Sequence, residues 1–246
     1  NLEVVGFPAV LGLSDKNAFR EIAEGLGHDV FEIPIQPPSV PGMRFNEHLI
    51  RMVKAGATEP EQVALGPGQT GAVAGKAVRV IMGVPVIGFD VDTEGEEQQI
   101  TSVTIASAGH SRKIAAREFI LAAGGFESGS LQMDSYGKVS EKVFDLPLVG
   151  TEGEMIHGDY WGKDQPLFRA GVRVDAQMRP LDQSGQPVYT NLHAAGGIIG
   201  GSVRWREKSG DGIALVTGLR AADAAGAAAT ATAEASAKDD NDGETR

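Results

Sequence analysis

The 246-residue chain has no cysteine. Disulfides, thiolate catalysis and cysteine-ligated zinc or iron–sulfur clusters are therefore excluded for its own residues. Aromatic residues make up only 6% of the chain, and 22 Lys and Arg face 33 Asp and Glu, a formal net charge of −11. That balance excludes non-specific nucleic-acid binding, which needs clustered cations to displace counterions from phosphates. No run approaches the ~18 consecutive apolar residues of a membrane span. The Ala-rich stretch from Ala221 to Ala237 comes nearest and is interrupted by Asp223, Gly226 and Glu234. A basic segment leading into an apolar one is also missing, so no signal peptide is expected. There is no GK[ST] loop, no G-x-S-x-G elbow and no metal-ligand spacing, which removes P-loop NTPases, common serine esterases and zinc hydrolases.

What the chain does have is a 41% apolar content and 33 glycines. The length suits one large domain or two small ones, with enough apolar residues to bury a core. Leu2–Phe7 reads as a strand closed by Pro8. Ser14 or Asp15 is the expected cap of a helix to Leu26, with Phe19, Ile22, Ala23 and Leu26 on one face and Gly27 as its stop. A second strand is expected over Val30–Ile35, then the proline-rich 36–42 as neither helix nor strand, then a helix from Arg44 to Ala55. From Glu59 to Thr104 short apolar runs alternate with Gly and Pro. The expected strands there are Ala77–Met82, Pro85–Asp90 and Ile100–Ile105, with an acidic turn over Glu94–Gln99. Phe119–Ala123, Val172–Val174 and Asn191–Ala195 read as further strands. A helix is expected from Gly212 to Ala237, followed by a disordered polar tail, 238–246.

The literal G-x-G-x-x-G, Gly66 to Gly71, stands in the wrong context. A dinucleotide fingerprint needs a buried strand before it and a helix after it. Ala72 to Gly75 is too short and glycine-broken to be that helix, so the motif reads as a loop. Two other clusters have better surroundings. Phe119–Ala123 empties into Gly124-Gly125. Asn191–Ala195 empties into Gly196-Gly197, with Gly200-Gly201 next and Gly210-Asp211-Gly212 opening a helix. Glycine at a strand's carboxyl end lets backbone N–H groups approach a phosphate or a flat ring, and a helix N-terminus adds partial positive charge. Either cluster alone fits a tight turn equally well; the two together point to a nucleotide-type cofactor.

Ala122-Ala123-Gly124-Gly125-Phe126 resembles the strand-to-glycine segment of flavoproteins of the fumarate reductase and glycerol-3-phosphate dehydrogenase type. Gly171–Asp175, Asn191–Gly197, Gly200-Gly201 and Gly210-Asp211-Gly212-Ile213-Ala214 resemble their carboxyl-terminal flavin motif. With Pro37-Pro38-Ser39-Val40-Pro41-Gly42-Met43-Arg44, the combination is similar to the B-subunit family of anaerobic glycerol-3-phosphate dehydrogenases. That family opens with a strand and a G-x-G-x-x-G helix for the adenosine diphosphate half of the cofactor, and this chain has no such start. The resemblance thus implies an amino-terminally truncated member. Relatives with this flavin fold often carry an acidic residue where Gly197 stands.

The resemblance implies an α/β fold, the carboxyl-terminal part of an FAD/NAD(P)-binding Rossmann-like flavoprotein. Residues 1–110 would form an inserted cap or substrate region and 111–237 the flavin-binding part. It implies a flavin, FAD or FMN. Gly124 and Gly125 would lie near its pyrophosphate, Gly196 and Gly197 near the ribityl chain, and the N–H groups of Gly212, Ile213 and Ala214 near the ring; Gly200, Gly201, Gly210 and Asp211 complete the cofactor set. The implied reaction oxidises sn-glycerol 3-phosphate to dihydroxyacetone phosphate, with electrons passed to quinone. The implied partners are the A and C subunits of the complex, the first catalytic and the second carrying iron–sulfur clusters. The implied location is the cytoplasmic face of the membrane, with peripheral attachment through a partner. The lack of cysteine agrees with clusters held elsewhere.

A phosphorylated substrate needs cations, and Arg44, Arg204 and Arg206 are the candidates. His48 and His157 are candidate acid–base groups, although His48 also reads as a helix-surface residue and His157 as part of an aromatic loop with Tyr160 and Trp161. His193, inside a strand, reads as structural. No residue is assigned as catalytic and no metal is expected. Two other readings stay open: a flavin dehydrogenase of the same fold with another substrate, and a non-catalytic module for interaction between subunits.

Overall fold

The computed structural model describes residues 3–15, 17–36, 39–55, 62–64, 70–72, 78–95, 97–107, 109–159 and 162–243. It divides into two compact units, Asn1–Gly83 and Val84–Arg246.

In the first unit β1 (Val4–Pro8) and β2 (Asp29–Ile33) pair in parallel, joined through α1 (Ala18–Leu26). This is the expected strand–helix–strand unit. Gly27 ends α1 in the left-handed region (φ 71°) and donates to the Ala23 carbonyl at 2.9 Å, the geometry that lacks a Cβ penalty only in glycine. The start differs from expectation: α1 begins at Ala18. The Asp15 carboxylate accepts from the Asn17 N–H at 2.8 Å, forming a turn ahead of the helix rather than its cap.

The next helix, α2 (Val40–Ala55), begins four residues before the expected Arg44. Ser39 caps it: its hydroxyl accepts from the Gly42 N–H (3.2 Å) and its carbonyl from the Met43 N–H (2.9 Å). Pro41 is tolerated because first-turn N–H groups have no partner inside a helix. β3 (Gln62–Ala64) and β4 (Thr70–Ala72) pair antiparallel, so the end of the literal G-x-G-x-x-G is strand; positions 66–69 lie outside the described residues. Val78–Met82 forms no strand, and no strand pairs with it among the described residues.

The second unit starts with an antiparallel sheet of β5 (Val86–Asp92), β6 (Gln99–Ser107) and β7 (His110–Ala115). The polar sequence of β7 gave no strand signal; it is an edge strand whose Lys113 bonds Asp90 on β5 at 3.0 Å. Lys113 and the Ser102 hydroxyl together hold the Asp90 carboxyl below its ordinary range. β8 (Phe119–Leu121) follows, then a 3-10 turn (Phe126–Ser128) and a hairpin of β9 (Leu131–Met133) and β10 (Val139–Glu141). Buried Glu141 accepts from the N–H groups of Val143 (2.8 Å) and Phe144 (2.7 Å), anchoring the loop beyond β10.

β11 (Leu192–Ala194) pairs in parallel with β8. Val172 and Val174, expected in a strand, make isolated bridges to Ile199 and Pro180. After a 3-10 turn (Gly196–Ile198) come α3 (Arg204–Glu207) and α4 (Gly210–Gly243). α4 passes the expected end at Ala237 and takes in six residues of the expected tail, 238–243, a polar stretch whose helicity continues that of the Ala-rich run before it.

The core of this unit gathers Ile100, Phe119, Leu121, Leu131, Phe144, Leu146, Val172, Tyr189, Leu192, Ala194 and Ile198. Asn191 stitches it: its side chain accepts from the Ile100 N–H (2.9 Å) and donates to the carbonyls of Ile100 and Arg117 (both 2.8 Å). His193, also buried, donates from Nδ1 to the Gln177 carbonyl (2.7 Å) and faces Glu118 through Nε2 at 3.2 Å, the structural role its strand position implied.

Candidate functional site

The parallel pair β8–β11 aims two glycine turns in one direction. After β8 the chain turns at Gly124 (φ 77°), where a Cβ would fall 2.6 Å from the Ser128 hydroxyl. Ser128 bonds the carbonyls of Ala123 and Gly125, and Ser130 donates to the Gly124 carbonyl at 2.7 Å. These serines occupy the carbonyl side of the turn. Among the described residues no bond takes the N–H of Gly124 or Gly125. A turn with its carbonyls tied back and its N–H groups uncommitted is suited to an anion.

After β11, Gly196 (φ 73°) makes the second turn, and its N–H donates to the Thr217 hydroxyl at 2.8 Å. Thr217 donates in turn to the Ile213 carbonyl at 2.5 Å, so α4 holds the turn from one side. The two turns touch. A Cβ on Gly125 would sit 3.2 Å from the Gly197 carbonyl and 3.6 Å from Arg204 Nη2; one on Gly197 would sit 3.5 Å from Gly124 Cα and 3.6 Å from the Arg204 guanidinium. The Arg204 guanidinium therefore packs against both turns. Its Nη1 is buried with no hydrogen-bond partner. Leaving a buried charged donor unsatisfied costs at least ~1–3 kcal/mol, and a donor so placed is suited to meet an oxyanion. The cavity beside it measures about 150 Å³ and is lined by Gly124, Gly125, Ser128, Phe168, Gly197 and Arg204 among others.

Arg204 is presented by the single turn of α3. Glu207 closes that turn, accepting from the Val203 N–H (2.9 Å) and the Ser209 hydroxyl (3.0 Å). The Val203 N–H and then the Ser209 hydroxyl hold the Glu207 carboxyl below the usual glutamate range; burial opposes them, and the charges of Arg169 and Arg204 add lesser contributions.

Of the sequence-derived candidates, Gly124, Gly125, Gly197 and Arg204 meet in this cavity, with Gly196 directly behind it. Gly210, Asp211, Gly212, Ile213 and Ala214 form the first turns of α4; Ala214 Cα would lie 4.0 Å from a Cβ on Gly196. Gly200 serves a different purpose. It crosses Gly171 so closely that a Cβ on Gly171 would fall 2.4 Å from Gly200 N, and the Gly201 N–H donates to the Arg169 carbonyl at 2.9 Å. Arg206 points to Asp164, with Nε at 2.6 Å. His157 is enclosed by its own loop: Nδ1 accepts from the Asp159 N–H (3.2 Å), so Nε2 carries the proton that it donates to the Asp164 carbonyl (3.1 Å). Tyr160 and Trp161 lie outside the described residues. Arg44 and His48 belong to the first unit. Arg44 Nη2 lies 2.7 Å from both carboxylate oxygens of Glu32, and His48 is exposed on α2. Among the described residues no group of three His, Asp or Glu could hold a metal, and no helix is long and apolar enough to cross a membrane.

Ser128, Ser130, Phe168 and Thr217 were missed from the sequence. The two serines follow Gly124-Gly125 within one short turn, a spacing that could have suggested hydroxyl caps. Phe168 and Thr217 reach the site through tertiary packing and carried no local signal.

Residues 1–213 match a family described as an FAD binding domain. The chain is 34% identical over 224 residues to the probable B subunit of the anaerobic glycerol-3-phosphate dehydrogenase of Halobacterium salinarum, covering 90% of this chain and 46% of that relative. It is 28% identical over 227 residues to the B subunit of the Histophilus somni anaerobic glycerol-3-phosphate dehydrogenase (90% and 46%) and 29% over 228 residues to that of Pasteurella multocida (90% and 47%). The chain thus spans about half the length of the curated relatives it matches. No solved structure matches it.

Proposed function

The chain belongs to the FAD binding domain family, and from that premise we propose that it is part of the B subunit of a flavin-dependent glycerol-3-phosphate dehydrogenase. The reaction is oxidation of sn-glycerol 3-phosphate to dihydroxyacetone phosphate, with electrons leaving towards quinone. Its assembly partners are the A and C subunits, and its attachment at the cytoplasmic face of the membrane is peripheral, through a partner. The names of the relatives support the substrate and the role within a multi-subunit enzyme. The fold assignment is the carboxyl-terminal part of a Rossmann-like flavin domain over 111–237, with 1–110 as cap and substrate region.

One observation carries the reading: the buried, unpartnered Nη1 of Arg204, packed against two glycine turns that a Cβ would fill. These residues fit part of a flavin nucleotide. The cavity of about 150 Å³ is smaller than the ~300–1,000 Å³ of typical ligand sites, so it accommodates a phosphate-sized segment and not a whole dinucleotide. When bound, FAD supplies the electron acceptor. The chain's own residues bind and orient. Gly124 and Gly125 offer N–H groups to pyrophosphate oxygens, and Gly196 and Gly197 border the ribityl chain. The α4 terminus, which begins at Gly210 and not at the expected Gly212, adds partial positive charge through Gly210, Asp211 and Gly212; the Ile213 N–H is taken by the Ser209 carbonyl at 2.8 Å. Arg204, expected as a substrate-phosphate contact, shares the phosphate-sized cavity with Gly124 and Gly125, so its guanidinium is offered to the same pyrophosphate oxygens, where it can make two parallel bonds. Arg44 and His48 have no assigned step.

The experiment is a visible spectrum of the purified chain before and after FAD, then after glycerol 3-phosphate without air. A protein-bound flavin band that bleaches with glycerol 3-phosphate is expected. No band at saturating FAD would sink cofactor binding by this chain. Bleaching by a dicarboxylate and not by glycerol 3-phosphate would replace the substrate with that of a different flavin dehydrogenase.

A further inference from the structure

Asp164 links the loop segments 155–159 and 162–165 with the short helix that presents Arg204. We infer that Asp164 is a positioning residue for the Arg204 guanidinium, acting through Arg206; the inference rests on the reading of Arg204 as the oxyanion contact. α3 has four residues, too few to hold its own geometry in water. It ends at Lys208 in the left-handed region (φ 54°), a conformation that a non-glycine residue keeps only when its surroundings impose it. Glu207 and the Lys208 cap close the turn on itself, and its orientation is left to contacts from outside the helix.

The loop is built to do so. The His157 N–H donates to Gln165 Oε1 (2.9 Å), Gln165 Nε2 donates back to the His157 carbonyl (3.1 Å), and the Gly162 N–H donates to Asp159 (2.8 Å). His157 Nε2 donates to the carbonyl of Asp164 itself. With its backbone held, Asp164 presents a carboxylate only 17% exposed to Arg206 Nε at 2.6 Å and Arg169 Nη2 at 3.6 Å; the Oδ1 contact with Arg206 is a close ion pair without hydrogen-bond alignment. Arg206 Nη2 also reaches the Gly162 carbonyl at 3.4 Å. Both arginines of these pairs are half-exposed, so the pairs add little stability by themselves. Their effect is directional. Arg206 is two residues from Arg204 on the same turn; fixing one guanidinium on the loop fixes the turn and leaves the other against Gly125 and Gly197.

The test uses the whole chain and inorganic pyrophosphate as probe, with Asp164→Ala, Asp164→Asn, Asp164→Glu and Arg206→Gln. Pyrophosphate affinity is measured by calorimetry, and the Arg204 and Arg206 Nε–H signals by ¹⁵N–¹H correlation spectra. D164A and R206Q should each weaken binding about tenfold, the double variant should be no worse than either single one, and D164E should recover most of the loss. In D164A the Arg204 signal should move to its solvent-averaged position while the melting temperature changes little. Unchanged affinity and an unmoved Arg204 signal in D164A would overturn the inference, as would additive losses in the double variant. If D164A does not fold, D164N, of the same shape without the charge, carries the comparison. If the unmodified chain binds no pyrophosphate, the oxyanion reading falls, and the Arg204 signal alone then decides whether Asp164 positions it.

Discussion

In the second unit Leu192, Ala194 and Ile198 are completely shielded from solvent, whereas Phe45 on α2 in the first unit keeps 64% of its surface exposed. The contrast extends across both units. Among the described residues nearly every buried apolar residue follows Ile100, while Phe19, Leu26, Phe31, Leu49, Met52 and Val53 of the first unit remain exposed; in the second unit exposed apolar side chains include Ile87 and, on α4, Leu215, Val216 and Leu219. Both units show apolar residues at helical or strand spacing. Periodicity tells which face of an element is apolar, not whether the chain supplies something to cover it. The difference also accounts for the location of the candidate site. A buried cation without a partner persists only where the surrounding packing is stiff enough to hold it there, and the second unit provides that packing.

The strongest challenge to this contrast is a matched pair of truncations. Leu192→Ala should lower the unfolding free energy of the second unit by about 2–5 kcal/mol, and Phe45→Ala should change stability by less than about 0.5 kcal/mol, both read from urea melts. Equal effects would erase the distinction. Next in size, Gly171→Ala should cost about 1–3 kcal/mol, because its Cβ would fall 2.4 Å from Gly200 N where backbone crosses backbone. Ser39→Ala should cost the first unit about 1 kcal/mol by removing the cap of α2, read as lost helical circular dichroism. The smallest effect concerns acid. Glu207 titrates below the usual glutamate range in the folded chain. Its closure of α3 is therefore fully present above the ordinary glutamate value and is lost as pH falls through the lowered one. Amide exchange at Val203, whose N–H Glu207 accepts, should rise only in that lower range, and Glu207→Gln should abolish the pH dependence.

Much of the framework was legible in advance. The unit β1–α1–β2, the strands β5 and β6, and both strand-to-glycine passages follow from apolar periodicity and glycine stops. α2 started early because a first-turn proline costs nothing that the sequence pattern could register. β7 was hidden because an exposed edge strand needs no apolar alternation. The site was legible as two glycine clusters and one arginine among several. What separates Arg204 from Arg44 and Arg206 is which carboxylate each one meets, Glu32 for Arg44 and Asp164 for Arg206. The Asp164 pairing spans more than forty residues of sequence, and no local pattern encodes it. Gly200 shows the converse: it belongs to the expected motif, yet its lack of a side chain is required by the crossing with Gly171.

The Asn191 stitch has a consequence in time. Its partners at Ile100 are 91 residues earlier, and β8 waits for β11 across a similar stretch. At a synthesis rate of ~5–20 residues per second, roughly 5–20 s separate the emergence of Ile100 from that of Asn191. During that interval the meander β5–β6–β7 can pair from local contacts, but β8 has an open edge and the core has no lid. The nascent second unit is thus a half-built sheet awaiting its last strand, and a chain stalled before Asn191 would present the edge of β8 to any neighbouring chain.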